Sequence, residues 1–110
     1  MRQIRIRPTG GAAGPGDARN ARYPGRMARR ILVVEDEPLI ADAVAARLRS
    51  EGHEVQLAGD GPSGVAHAER WQPDLVILDL MLPGLDGLEV CRRIQRDRHV
   101  PVLMLTARDD

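Results

Sequence analysis

The fold of this chain is decided by LVILDLMLPGLDG, residues 75–87. Residues 75–78 form a short, continuous apolar run, which is typical of a strand that is buried on both faces of a parallel sheet. Asp79 follows this run and opens a segment rich in turn-forming residues. Because open α/β sheets carry their chemistry at the carboxyl ends of the strands, the pattern predicts an exposed, reactive carboxylate at this strand end.

A second apolar run, residues 31–34, precedes three consecutive acids, Glu35, Asp36 and Glu37. Two parallel strands would bring these acids and Asp79 to the same edge of a sheet. Oxygen ligands at one edge suit a hard divalent cation such as Mg²⁺ and leave one carboxylate to react. Acids at a helix N-terminus also interact favourably with the helix dipole, and Glu37 fits that second interpretation better than its two neighbours.

Charge divides the chain into two parts. Residues 1–30 hold eight Arg and one acid, a net charge of +7, whereas residues 31–110 hold fifteen Asp or Glu and eight Arg, a net charge of −7. An acidic body argues against nucleic-acid binding by that body and agrees with a carboxylate site for a cation. With 110 residues, the chain is long enough for one domain.

Residues 1–26 are predicted to form a disordered basic leader, because they combine like charges with Gly and Pro and lack apolar periodicity. Met27 would be a natural start for a domain at residues 27–110. The leader is therefore either an artefact of an upstream start site or a genuine flexible arm.

The cysteine content and the hydropathy bear on the cellular compartment. Cys91 is the one cysteine, which excludes an internal disulfide and favours a reducing, cytoplasmic location. The leader has no apolar core and is not a secretory signal. No membrane segment is expected, because no apolar stretch is long enough to span a bilayer.

Apolar periodicity predicts alternating strands and helices. Strands are expected at residues 30–34, 54–58, 74–78 and 102–105, and helices at residues 38–50, 63–71 and 88–96. The third predicted helix carries Leu88, Cys91 and Ile94 on its apolar face. Strands that alternate with helices imply an α/β fold with a parallel sheet and helices on both faces.

Four motifs follow one another along the chain: Glu35-Asp36, Asp79, Pro83-Gly84 with Asp86-Gly87, and Thr106-Ala107. Their order and separations resemble the receiver domain of bacterial response regulators, the phospho-accepting half of two-component signalling. The resemblance covers residues 27–110 and implies a doubly wound, flavodoxin-like parallel sheet of strand order 2-1-3-4. The family's fifth strand and the Lys that follows it are not expected here, because the chain ends at Asp110 and contains no Lys. The domain is therefore expected to be truncated at its C-terminus.

The resemblance implies roles for five residues. Asp79 would be the phospho-acceptor that takes a phosphoryl group from a sensor histidine kinase in a phosphorelay, and the Thr106 hydroxyl would bind that group and act as a switch. Mg²⁺ would be held by the carboxylates of Glu35, Asp36 and Asp79 and by the backbone carbonyl of Met81. Considered alone, Asp79 also fits a turn residue and Thr106 a helix N-cap.

Within the family, residues 101–108 are most similar to receivers attached to winged-helix DNA-binding domains. The parent protein is therefore expected to be a transcriptional regulator that contacts DNA only through an output domain missing from this chain, and the receiver is not expected to be an enzyme. Two alternatives are a non-functional truncated fragment and a phosphohydrolase with an Asp nucleophile. Such hydrolases usually carry a second Asp two residues after the nucleophile, where this chain has Met81.

Overall fold

Strands and helices alternate along the computed structural model, which describes residues 28–82, 84–96 and 98–105. The strands are β1 (Arg30–Val34), β2 (Glu54–Ala58), β3 (Leu75–Asp79) and β4 (Val102–Leu105). The helices are α1 (Pro38–Ser50), α2 (Gly61–Trp71) and α3 (Gly87–Gln95). The predicted leader at residues 1–26, Pro83 and Thr106 lie outside the described residues. None of the described helices has the length and apolarity that crossing a membrane requires.

The four strands form one parallel sheet in the order β2-β1-β3-β4. This order confirms the fold class and the strand arrangement that the sequence predicted. The two inner strands, β1 and β3, are almost wholly apolar and buried, because helices cover both faces of the sheet. Parallel pairing brings the carboxyl ends of all four strands to one edge, which we call the carboxyl edge.

Two apolar clusters hold the helices to the sheet. Leu32, Val76 and Val90 belong to the cluster between the sheet and the helices α2 and α3. Val33 and Ala45 are fully buried in a second cluster, between the opposite face and α1. Burial of a large apolar side chain contributes roughly 1.5–3 kcal/mol relative to exposure, so these two layers position the loops at the carboxyl edge.

The helix α2 begins at Gly61, two residues earlier than predicted. Asp60 is its N-cap, and the Asp60 side chain accepts a hydrogen bond from the Ser63 N–H at 2.7 Å. Pro62 lies in the first turn, where a missing N–H needs no helical partner. The prediction left Gly61 and Pro62 outside the helix, whereas the cap at Asp60 includes both.

The helix α3 begins one residue earlier than predicted, and its buried residues are Gly87, Val90, Cys91 and Ile94. These positions follow the i, i+3, i+4, i+7 spacing of one helix face. Leu88 was predicted to lie on the apolar face but is 56% exposed, so this part of the prediction is wrong. The spacing places Leu88 on the outer side of the helix.

Candidate functional site

Two neighbouring strands carry acids at their carboxyl ends. Glu35 follows β1 directly, and its N–H donates to the Ala58 carbonyl at 2.9 Å, which extends the pairing of β1 with β2. Asp79 is the last residue of β3, one residue beyond the predicted end of that strand. Because Val34 pairs with Leu78, Glu35 and Asp79 are the next residues on two adjacent strands.

Glu35, Asp36 and Asp79 form an acidic cluster in which one carboxylate oxygen from each residue lies within 4.8 Å of the others. Glu35 is 3% exposed and Asp79 is 0% exposed, whereas Asp36 lies at the surface. The structure therefore brings together all three carboxylates of the predicted metal site. Carboxylates this close repel one another, and burial of two of them costs further free energy.

Backbone hydrogen bonds orient the two buried carboxylates. Oε2 of Glu35 accepts the Glu37 N–H at 3.0 Å, and Oδ1 of Asp79 accepts the Met81 N–H at 2.9 Å. In both cases the donor lies two residues after the acid, a local pattern in which a side chain bonds the backbone of its own loop. The orientation of each carboxylate is thus set by the turn that follows it.

Other acids at the carboxyl edge cap helices. Asp60 and Asp86 each accept a backbone N–H from the first turn of α2 and α3, respectively. Glu37 occupies the N-cap position of α1, but its side chain makes no capping hydrogen bond. Helix capping therefore explains Asp60 and Asp86 and leaves the three acids of the cluster without that explanation.

The donor chemistry of the cluster fits Mg²⁺. This ion takes oxygen ligands and keeps several waters, so two or three carboxylates are sufficient protein ligands. A divalent cation also offsets the repulsion among the three acids. Asp36 lies at the surface and gives a hydrated ion a route to the two buried partners.

The burial of Asp79 differs from the sequence expectation of an exposed carboxylate, which is wrong for this structure. The predicted strand ended at residue 78 and left Asp79 in the turn. In the structure the Asp79 backbone pairs with Leu105 of β4, and the side chain is enclosed at the end of an inner strand.

Two residues of the predicted site are less fully described. The Met81 N–H is bonded to Asp79, while the role of the Met81 carbonyl as a metal ligand stays a prediction. Thr106 lies outside the described residues, so its role as a phosphoryl-binding hydroxyl also stays a prediction.

Three apolar side chains at the carboxyl edge are exposed, although no surface role was predicted for them from the sequence. Leu39 is 83% exposed, Met81 is 65% exposed and Leu88 is 56% exposed. Leu39 and Leu88 are the second residues of α1 and α3, and helices that follow parallel strands begin at this edge. For Leu39 and Leu88, a leucine as the second residue of a helix is the signal that would have identified them.

A sequence model of the response regulator receiver domain matches residues 31–110. Two similar relatives come from Mycolicibacterium smegmatis. The chain is 52% identical over 79 residues to the sensory transduction protein RegX3 and 46% identical over 84 residues to the DNA-binding response regulator MtrA. These alignments cover 72% and 76% of this chain but only 35% and 37% of the relatives, so the chain spans about a third of their length.

Solved structures show the same similarity. The BeF3-activated N-terminal receiver domain of RstA from Klebsiella pneumoniae superposes with a TM-score of 0.68 at 36% sequence identity, covering 74% of this chain and 69% of that one. A CheY-like response regulator receiver domain protein from Methanospirillum hungatei gives a TM-score of 0.63 at 32% identity, over 66% of this chain and 58% of that one. Sequence and fold therefore agree on one family.

Proposed function

This chain belongs to the response regulator receiver domain family, and from that membership we propose that Asp79 accepts a phosphoryl group from a sensor histidine kinase. The observation that carries the proposal is the cluster of Glu35, Asp36 and Asp79, whose carboxylate oxygens lie within 4.8 Å of one another at the end of two inner strands. Asp79 is the deepest of the three acids and is held by a strand on each side of β3.

The proposed reaction is a transfer between two side chains. A carboxylate oxygen of Asp79 attacks the phosphorus of a phosphohistidine, a P–O bond forms, and the P–N bond breaks. The electron pair of the P–N bond leaves with the imidazole nitrogen, and Asp79 becomes an acyl phosphate. The Met81 N–H, 2.9 Å from Oδ1, fixes the rotation of the carboxylate and so reduces the entropy cost of reaching the attacking geometry.

Glu35, Asp36, Asp79 and the Met81 carbonyl are the proposed holders of Mg²⁺. When bound, the cation offsets the negative charge of the phosphoryl oxygens as they approach the carboxylates. The hydrogen bond from the Glu37 N–H orients the Glu35 carboxylate, which lies within 4.8 Å of the Asp79 carboxylate and can therefore share a cation with it. The Thr106 hydroxyl is proposed to bind a phosphoryl oxygen and to report the modification.

A kinase that phosphorylates Asp79 must dock at the carboxyl edge, because this carboxylate lies at the end of β3. Leu39, Met81 and Leu88 provide exposed apolar area at this edge of the sheet. Burial of such area on association contributes about 25 cal/mol per Å² before the costs of binding are counted. We place the kinase contact on these three side chains.

The wider role is that of a phosphorelay component in the cytoplasm, without turnover of its own. The similarity to a DNA-binding response regulator supports a longer parent protein that regulates transcription through a separate output domain. Residues 27–110 are the proposed receiver unit, and residues 1–26 a leader that takes no part in the transfer.

The test is labelling of the chain by acetyl phosphate in the presence of Mg²⁺. Asp79→Asn keeps the shape of the side chain but removes the nucleophilic carboxylate, and we expect labelling to fall below detection. Asp42→Asn makes the same change at an exposed position of α1 and should label as the wild type does. Equal labelling of the Asp79 variant would exclude this residue as acceptor, and multiple turnovers of a phosphomonoester would favour a phosphohydrolase instead.

A further inference from the structure

Gly87 lies in unusually close contact with the residue that follows Asp79. A Cβ atom built on Gly87 would lie 2.8 Å from the Cα of Leu80, 2.9 Å from its Cδ2 and 3.1 Å from its carbonyl oxygen. Two of these three atoms belong to the backbone and cannot rotate away. The first turn of α3 therefore rests on the Leu80 backbone at a distance that only a residue without a Cβ allows.

The Leu80 backbone is also fixed from other sides. Its N–H donates to the Leu105 carbonyl of β4 at 3.1 Å. Its carbonyl and the Met81 N–H belong to one planar peptide unit, so a push on the carbonyl oxygen tilts the N–H as well. That N–H is the group that holds Oδ1 of Asp79 at 2.9 Å. Gly87 is therefore connected to the Asp79 carboxylate through a single rigid peptide.

We propose that Gly87 is a positioning residue for the Mg²⁺ and phosphoryl site, because its missing Cβ lets α3 set the tilt of the peptide between Leu80 and Met81 and hence the orientation of the Asp79 carboxylate. This inference rests on the proposed function of Asp79. The inference extends the proposed site to Gly87 of α3, a residue that would touch neither the ion nor the phosphoryl group. Mg²⁺ tolerates little departure from octahedral geometry, so a small tilt is expected to matter.

Gly61 provides a matched comparison elsewhere in the fold. A Cβ on Gly61 would also make contacts of 2.9 Å and 3.0 Å, but with side-chain atoms of Val90 and Leu85 at the boundary of α2 and α3. Gly59 provides a second comparison, because a Cβ there meets no atom within 4 Å. Gly→Ala at these two positions reproduces the chemical change, with and without crowding, and in neither case is the nearest contact the Leu80 peptide.

The experiment measures Mg²⁺ affinity by calorimetry and the exchange of the Met81 amide proton by NMR in the metal-free chain. In Gly87→Ala we expect Mg²⁺ affinity to fall by about tenfold or more, the range seen when groups that orient metal ligands are changed. We also expect faster exchange of the Met81 amide, because its bond to Asp79 is weakened. Gly61→Ala and Gly59→Ala should bind Mg²⁺ within about twofold of the wild type and keep the wild-type Met81 exchange rate.

Gly87→Ala combined with Leu80→Ala keeps the experiment decisive if the single variant does not fold. The second change removes the contact with Cδ2 and leaves both backbone contacts, so a folded double variant should still bind Mg²⁺ weakly. Wild-type Mg²⁺ affinity and Met81 exchange in either folded variant would overturn the inference. Failure of both variants to fold where Gly61→Ala folds would also overturn it, since Gly87 would then serve folding alone. A wild-type chain that binds no Mg²⁺ would instead contradict the proposed function, while the Met81 exchange would still test the role of Gly87.

Discussion

At the scale of single residues, the three acids of the cluster differ in what they contribute. Glu35 and Asp79 are buried and bonded to the backbone of their own loops, so removing either would leave a backbone N–H without its acceptor. Asp36 lies at the surface, and its main contribution is charge close to two buried carboxylates. It is therefore the residue at which metal binding and stability are most easily separated.

We expect Asp36→Ala to abolish most of the stabilisation that Mg²⁺ gives and to leave the metal-free protein as stable as before or slightly more so. Removal of one charge relieves repulsion within the cluster, while a ligand that binds the native state stabilises it by mass action. The measurement is the shift of Tm on addition of Mg²⁺. Glu37→Ala removes the next acid along the chain, which is exposed and outside the cluster, and should keep the full shift. A wild-type shift in Asp36→Ala would remove this residue from the site.

At the scale of the elements, the cap of a helix matters as much as its apolar face. α2 has a side-chain cap at Asp60, whereas the Glu37 side chain at the N-cap of α1 makes no capping hydrogen bond. Both are acids at the N-cap position, so their substitution changes similar charge near a helix dipole. The difference between the stability losses of the two variants therefore measures the contribution of the capping hydrogen bond.

Asp60→Ala should lower the free energy of unfolding by about 1 kcal/mol, because the Ser63 N–H loses its acceptor at 2.7 Å. Glu37→Ala should cost only a few tenths of that, since no side-chain bond is lost. Urea denaturation followed by the fluorescence of Trp71, the last residue of α2, which packs against the core, measures both changes. Equal losses in the two variants would assign the effect to charge rather than to the cap.

The elements also show what the sequence was able to predict. The bounds of β1, α1, β2 and β4 agree with the prediction, because apolar runs and a proline at a helix start depend on local chemistry alone. The exposure of Leu88 was missed, because it depends on which side of α3 meets the sheet. The burial of Asp79 was missed, because it depends on the pairing of β3 with β4. The grouping of Glu35, Asp36 and Asp79 followed from strand order, whereas the contact between Gly87 and Leu80 required coordinates.

At the scale of the whole molecule, the sheet and the helices on its two faces share the described core. The buried apolar residues of both clusters lie between Ile31 and Leu105 and come from all seven described elements or the loops between them. The inner strands of the sheet are almost wholly buried, so stability depends on the two helical layers rather than on the charged residues outside them.

Deletion of residues 1–26 is expected to change the free energy of unfolding by no more than about 0.5 kcal/mol, because their Arg-, Gly- and Pro-rich composition cannot support a core. Urea midpoints and Asp79 labelling of the shortened and full chains provide the comparison. A clear loss of stability or of labelling on deletion would show that the leader contacts the domain.

The position of Cys91 allows the opening rate of α3 to be measured by thiol modification. The thiol is 6% exposed on the sheet-facing side of α3, and its Sγ donates to Oε1 of Gln95 at 3.4 Å. A thiol reagent reacts with the thiolate and must reach the sulfur, so modification waits until α3 separates from the sheet. When reagent is in excess and attack is fast, the rate of modification equals the rate of that separation. Because Cys91 is the one cysteine, each modified molecule reports one separation of α3 from the sheet. α3 also carries Gly87, and no probe has to be introduced into the chain.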